Sequence, residues 1–247
     1  MKTRVFTGRS RFSRTDYGGT YAPVTHMSNP AVPARRNKLA PDPDVRCAIL
    51  TAASSSMHDH GVRGLSIAAV LERAQLSTRA FYRHFESKDQ LVAAVFLELA
   101  RLETQRLRAR MAGAADPVEA VVAWVDGRLE LAFGEGGDHG RRRLTLEAHS
   151  KAFSSPEMTA PAYSAILEPL IEQLERGLQL GVFEDIVPTT AAKSIHGVVW
   201  AGTQRQWATH RWDRTVVRDR ALRFCLRGLG VSSQTIEQVT RRETAAS

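Results

Sequence analysis

Residues 65–91, LSIAAVLERAQLSTRAFYRHFESKDQL, leave the chain few choices, because three helix starts follow one another within this one stretch. Ser66 stands where it can cap a helix whose apolar residues Ile67, Val70, Leu71 and Ala74 recur at helical spacing, with Leu65 placed to staple onto Val70. Gln75 and Leu76 make a turn. Ser77 repeats the device: it caps a second helix, Leu76 can staple onto Phe81, and Phe81 and Phe85, four residues apart, turn one face inward. The opposite face carries Thr78, Arg79, Tyr82 and Arg83. Ser87-Lys-Asp-Gln90 then reads as a capping box that opens a third, longer helix. A short helix fixed by two aromatic anchors and presenting hydroxyls and guanidinium groups outward suits a DNA major groove, which is wide enough to take it and offers base-edge acceptors and phosphate oxygens. The alternative is an ordinary three-helix packing unit whose polar face is solvated.

Taken together, Ser66-Ile-Ala-Ala, Leu76-Ser-Thr, Phe81-Tyr-Arg-His-Phe85 and Ser87-Lys-Asp-Gln-Leu91 resemble the DNA-binding region of the TetR family of transcriptional repressors. The resemblance covers about a fifth of the chain. It implies an all-α protein with an N-terminal helix-turn-helix DNA-binding domain and a C-terminal helical domain for ligand binding and dimerisation. The implied partners are a double-stranded DNA operator, a small-molecule effector and a second copy of the chain. The DNA-facing set is Arg46, Ser66, Ser77, Thr78, Arg79, Tyr82, Arg83, His84 and Lys88. One position departs from the family: a turn that usually holds glycine has Gln75, a less permissive residue for a positive φ. Upstream, Asp42-Pro43 signals a helix start, Val45, Ile49, Ala52, Ala53 and Met57 form its apolar stripe, and Gly61 ends it. Arg46, near that start, reads equally well as a phosphate contact or as a solvated arginine.

The net charge of +8 is concentrated at the N-terminus. Residues 1–42 hold eight basic side chains against Asp16 and Asp42, in a stretch rich in Gly, Pro, Ser and Thr that cannot offset its ordering entropy by burial. Three readings stand for it: a disordered arm that adds phosphate or minor-groove contacts, an idle tail, or, for residues 1–26, an artefact of start-codon choice ahead of a native start at Met27. The expected organisation is a basic arm at 1–41, a DNA-binding head at 42–91, a helical effector-binding and dimerisation domain at 92–230 and a tail at 231–247. No membrane-length apolar run or secretory core is present, so the expected location is cytoplasmic. Cys47 and Cys225 lack metal or redox spacing and read as reduced packing residues.

Beyond Leu91 the pattern is helical throughout. Leu91, Val95, Leu99 and Leu102 give the fourth helix a stripe able to pack on both head and body, which makes that helix a mechanical link. Asp116-Pro117-Val-Glu119 opens a fifth helix, residues 134–140 form a break, and a sixth helix covers 141–153. Ser155-Pro156-Glu157 opens a seventh, which Pro169 should kink or break, and Gly181 suits a stop. Residues 177–188, 189–207 and 214–230 resemble the closing helices of TetR-type proteins, so Trp207, Leu222, Phe224 and Leu226 are candidates for a dimer seam. Trp124, His149, Phe153, Tyr163 and Trp200 are candidates for an effector pocket, although each aromatic alone reads better as core; His149 and His196 can offer a ligand hydrogen bond. Arg141, Arg142 and Arg143 suit an anionic ligand group less well than a solvated helix start.

No catalytic motif, phosphate loop or His-Glu-x-x-His metal motif occurs, and His58-Asp-His60 has no further ligands, so no enzyme, cofactor or metal is expected. The sequence thus points to a ligand-responsive DNA-binding regulator, a repressor released from a pseudo-palindromic operator by a small apolar or amphipathic effector. Two alternatives remain: an effector-independent DNA-binding protein and, distantly, an all-α enzyme.

Overall fold

The computed structural model describes residues 42–133, 139–209 and 213–241, and every regular element among them is an α-helix. The basic arm at 1–41 and most of the glycine-rich break, residues 134–138, lie outside the described residues. The head consists of α1 (Pro43–Gly64), α2 (Ile67–Ala74), α3 (Thr78–His84) and the start of α4 (Lys88–Met111). Its helix starts are closed locally: the side chain of Asp42 accepts from the Asp44 N–H at 3.0 Å, Ser77 from Ala80 at 3.3 Å and Ser87 from Gln90 at 3.1 Å. Gln90 answers by accepting from the Glu86 N–H at 2.6 Å, one residue before the cap.

Ser66 departs from expectation. It occupies the cap position of α2, but its hydroxyl makes no capping bond. Leu65 and Val70 are both buried, so apolar packing fixes the entry into α2 instead. Gln75 adopts φ 55 and ψ 41, taking the left-handed conformation that the turn requires. Gly61 leaves the helix at φ 74 and ψ 176, which separates the last residues of α1 from its main run.

The core of the head does not stop at Leu91. Phe81, Phe85, Ile49 and Val70 share one cluster with Val92, Val95, Phe96 and Ala100 of α4, and Leu144 and Ala162 join it from the body. A boundary between residues 91 and 92 therefore has no counterpart in the packing. The body adds α5 (Pro117–Phe133), α6 (His139–Ser154), α7 (Pro156–Gln179), α8 (Pro188–Thr209), α9 (Arg214–Gly228) and α10 (Ser233–Arg241). The core of the body is built around α5, whose Val121, Trp124, Val125 and Leu129 are fully buried. A bidentate ion pair joins α5 to α9: Arg218 Nε and Nη2 donate to Asp126 at 2.5 and 2.9 Å, with both side chains buried.

Two expectations about the body need correction. Residues 231–247 were expected to form a tail, but α10 lies there, with Ile236 and Val239 in the body core one turn apart. Ser232 caps that helix through the Thr235 N–H at 3.2 Å. Of the kink or break expected at Pro169, the break is absent: α7 runs on through both Pro161 and Pro169. Proline has no hydrogen for the carbonyl four residues back, that of Ala165. The Thr104 hydroxyl of α4 sits 2.8 Å from that carbonyl and donates to it in place of the missing N–H. The next carbonyl, of Ile166, accepts from the Trp124 indole N–H at 3.3 Å. Donors on α4 and α5 thus support α7 at its proline.

Candidate functional site

α3 positions the residues expected to face DNA through its buried side. Phe81 is fully buried, with its ring centroid 5.7 Å from that of Phe85 and 5.3 Å from that of Tyr82. Thr78, Arg79, Tyr82 and Arg83 are left exposed on the other side, with Tyr82 at 61 %. Ser66 and Ser77 are exposed at the two helix starts, and Lys88 is half-buried at the start of α4. Arg46 is exposed and lies over the Phe85 ring, 5.3 Å from its centroid, which holds a cation at the edge of the same unit. His84 does not share this outward position: both ring nitrogens are buried without hydrogen-bond partners, so the imidazole packs into the head.

A cavity of about 390 Å³ opens in the body. Its walls come from α4, α5, α6 and α7, with His196 from α8 and, notably, Ser54 and His58 from head helix α1. α6, which forms one wall, also grips the broken end of α1. Glu147 accepts from the Val62 N–H at 2.8 Å, and the Arg143 guanidinium donates to the His58 carbonyl. Gly61 is required at this junction, since a Cβ there would stand 2.6 Å from Glu147 Oε1 on a backbone already at positive φ.

The polar part of the wall comes from α4 and α5. Glu103 accepts from Arg106 Nε at 3.0 Å and Nη2 at 2.9 Å, and from Arg128 Nη1 at 3.1 Å. Arg106 also reaches Glu130 at 2.8 Å, and Arg110 pairs with the same carboxylate. Burial opposes the charge of Glu103, but Arg106 and Arg128 outweigh it and hold the carboxyl below its ordinary range. Arg128 is the reverse case. Its side chain is only 8 % exposed, and burial outweighs its pairing with Glu103, so its pKa falls below the usual arginine value.

Beside this cluster the rings stack. Trp200 lies flat on His149 with centroids 3.4 Å apart, His149 lies 5.4 Å from His196, and Tyr163 meets His196 edge-on at 5.0 Å. Burial, reinforced by Arg128, pushes His149 down to about 4 and His196 down to about 3. Both imidazoles are therefore neutral at pH 7, and burial raises the Tyr163 phenol.

Of the five expected pocket residues, His149 and Tyr163 line this cavity. Trp124 is fully buried between α5 and α7, and Trp200 stands behind His149, facing a void of about 10 Å³. The side chain of Phe153 lies outside the described residues. The basic run is also placed differently from expectation: Arg142 donates to the Trp207 carbonyl and Arg143 to α1, so both clamp helices together, while Arg141 lines the cavity. Sequence reasoning missed Arg128, although an arginine inside the apolar run of α5 was a visible sign.

The expected dimer residues also divide. Leu222 and Leu226 are fully buried in the core of their own chain, and Trp207 is buried edge-on to Trp200, so none of the three faces outward. Phe224, two residues from each leucine, is 67 % exposed on the other side of α9. Cys225 is buried, which pushes its thiol up to about 12, whereas Cys47 is exposed rather than packed. Among the described residues no group of three or more metal-binding side chains is present, and no helix is long and apolar enough to cross a membrane.

Residues 49–95 match the family model of bacterial regulatory proteins, tetR family. No curated protein sequence matches the chain. Among solved structures, RolR with its ligand resorcinol superposes with a TM-score of 0.59 at 22 % identity, over 81 % of this chain and 94 % of that one. FadR from Bacillus subtilis, in complex with stearoyl-CoA, gives 0.58 at 16 % identity over 73 % and 97 %. A regulator from Saccharomonospora viridis, in complex with choline, gives 0.56 at 18 % over 74 % and 96 %. At these identities the likeness is one of fold, and it extends from the head through the body. The head thus carries the DNA-binding segment of the tetR family at residues 49–95, and the body shares the fold of these solved regulators.

Proposed function

We propose that the protein is a homodimeric repressor that leaves a pseudo-palindromic operator when a small molecule enters the cavity of its body. The observation that carries this reading is the continuity of the cavity wall with the head. Ser54 and His58 line the cavity from α1, and α6 holds the end of α1 through Glu147 and Arg143. A ligand that prefers one placement of α6 therefore prefers one placement of the head, and operator affinity falls by that preference, about 1–3 kcal/mol in a typical coupled system. Relatives of the same fold bind resorcinol, stearoyl-CoA and choline, which supports a ligand site in the body without specifying the ligand.

The exposed side of α9 at Phe224 and the small exposed residues Ser194, Gly197 and Ala201 of α8 support a seam for a second copy, because small residues allow close helix approach. On DNA, Arg79, Tyr82 and Arg83 would enter the major groove, with Arg46, Ser66, Ser77, Thr78 and Lys88 near phosphates. The test is to recover genomic fragments bound by the purified chain and titrate the complex with lipophilic acids, amides and cations. Filling the cavity with Ala148→Phe should leave operator binding intact and abolish release. Release of the variant at wild-type ligand concentrations would sink the proposal.

A further inference from the structure

Arg128 is built for a ligand group that the protein itself does not provide. Its side chain is more than nine-tenths buried, it lines the cavity, and its Nε–H has no hydrogen-bond partner. A buried guanidinium normally uses most of its five donors, because each unmet one keeps its desolvation cost. Here Glu103 meets Arg128 only through Nη1. On the edge that a carboxylate grips with two parallel bonds, the Nε–H is buried without a partner, and among the described residues the bond to Glu103 is made from Nη1, off that edge.

The charge count of the cluster points the same way. Glu103 serves both Arg106 and Arg128, and Glu130 serves both Arg106 and Arg110. Three guanidinium groups thus share two carboxylates, which leaves one positive charge unbalanced beside the cavity. Neutral His149 and the Tyr163 hydroxyl stand in the same wall and can add hydrogen bonds, while Phe96, Leu99 and Ile166 supply apolar surface.

We infer that the effector is a monocarboxylate with an apolar or aromatic body, its carboxylate held by the Nε–Nη2 edge of Arg128. This assignment rests on the effector reading and names the chemistry of that site. A phosphate monoester shares the anionic chemistry, and Arg141 lines the same cavity, so octyl phosphate is the probe that competes with the carboxylate. A cation would meet the excess positive charge unfavourably.

The experiment is calorimetric titration of the full chain with matched probes: octanoate, octanamide, octyl phosphate and octyltrimethylammonium, then 4-methylbenzoate and 4-methylbenzamide. Each carboxylate should bind about 10-fold or more tightly than its amide, the worth of a charge-assisted hydrogen bond. Arg128→Gln should shrink the ratio of acid to amide affinity to within about twofold. Glu103 keeps Arg106 in this variant, so the carboxylate is not left unpaired. Arg128→Lys, which keeps the charge but loses the fork, should show a reduced gap, and this comparison stands if the glutamine variant does not fold. Equal binding of acid and amide, tighter binding of octyl phosphate, or an undiminished gap in Arg128→Gln would each overturn the assignment. If amides or the ammonium probe bind equally well and release operator, the carboxylate assignment fails and the effector reading survives. If no probe binds, both fail.

Discussion

Thr104 offers a direct measurement of how one helix supports another. The Thr104→Val substitution keeps nearly the same shape but removes the hydroxyl that donates to the Ala165 carbonyl at 2.8 Å, at a position only 8 % exposed. A buried carbonyl left without a donor costs about 1–3 kcal/mol. For a chain of this size each kcal/mol lowers Tm by roughly 2–4 °C, so a loss near ~2 kcal/mol should appear as a fall of about 4–8 °C. The one hydroxyl hydrogen of Thr104 also lies within reach of the Ala100 carbonyl at 2.8 Å, but that acceptor has the N–H of its own helix ladder, which leaves the hydroxyl to Ala165. The decisive comparison places the same substitution in a Pro169→Ala background. Alanine restores the N–H that proline withholds, so the carbonyl regains a donor within α7 and Thr104→Val should cost far less. The interaction energy from the four proteins should be about 1–2 kcal/mol, measured by thermal and urea unfolding at one protein concentration. Equal losses in the two backgrounds would refute the claim that Thr104 stands in for the missing backbone donor.

Three further outcomes follow from the same structure. Tyr82→Ala should weaken operator binding in a band-shift assay with Tm nearly unchanged, since Tyr82 is largely exposed, whereas Phe81→Ala should destabilise the fold by about 3–5 kcal/mol. Arg218→Met leaves the buried Asp126 carboxylate without its bidentate partner and should cost about 3–5 kcal/mol, visible as a lower urea midpoint; an unchanged midpoint would contradict the role assigned to that pair. His149 and His196 have folded pKa values of about 4 and about 3 against an ordinary 6.5, so the unfolded chain binds more protons through this window. Their contribution should be complete above pH 6.5 and be lost as the pH falls towards 4 and then 3, and His196→Gln should flatten that dependence.

Local chemistry was legible in the sequence, and long-range partners were not. The start of α3 could be read because a cap, its N–H partner and the anchors Phe81 and Phe85 all lie within nine residues. Gln75 could be read as a positive-φ turn for the same reason. Leu222 and Leu226 were misplaced because an apolar pair on a terminal helix looks alike whether it meets its own core or a second copy. Phe224, between them, shows which side is outward only once the core is known. Arg128 drew no attention because Glu103 is 25 residues away, and Pro169 looked like a break because its rescuer is on another helix. Trp124 has the composition of a pocket residue, but its indole N–H is taken up by the Ile166 carbonyl.

The Thr104 bond also sets how α4 can move. Sliding α4 along α7 would pull the hydroxyl off the Ala165 carbonyl, whereas rotation about that point keeps the two atoms together. A tilt of α4 about Thr104 would therefore leave this bond in place. From Thr104 to Lys88, where α4 leaves the recognition unit, is 16 residues, or about 24 Å of helix. A tilt of only about 5° displaces the head end by about 2 Å, and two symmetric copies moving apart would add about 4 Å between their heads. For the dimeric repressor proposed above, that would exceed the rise of one base pair, about 3.4 Å, so a small tilt of α4 would put the two α3 helices out of step with the turns of DNA.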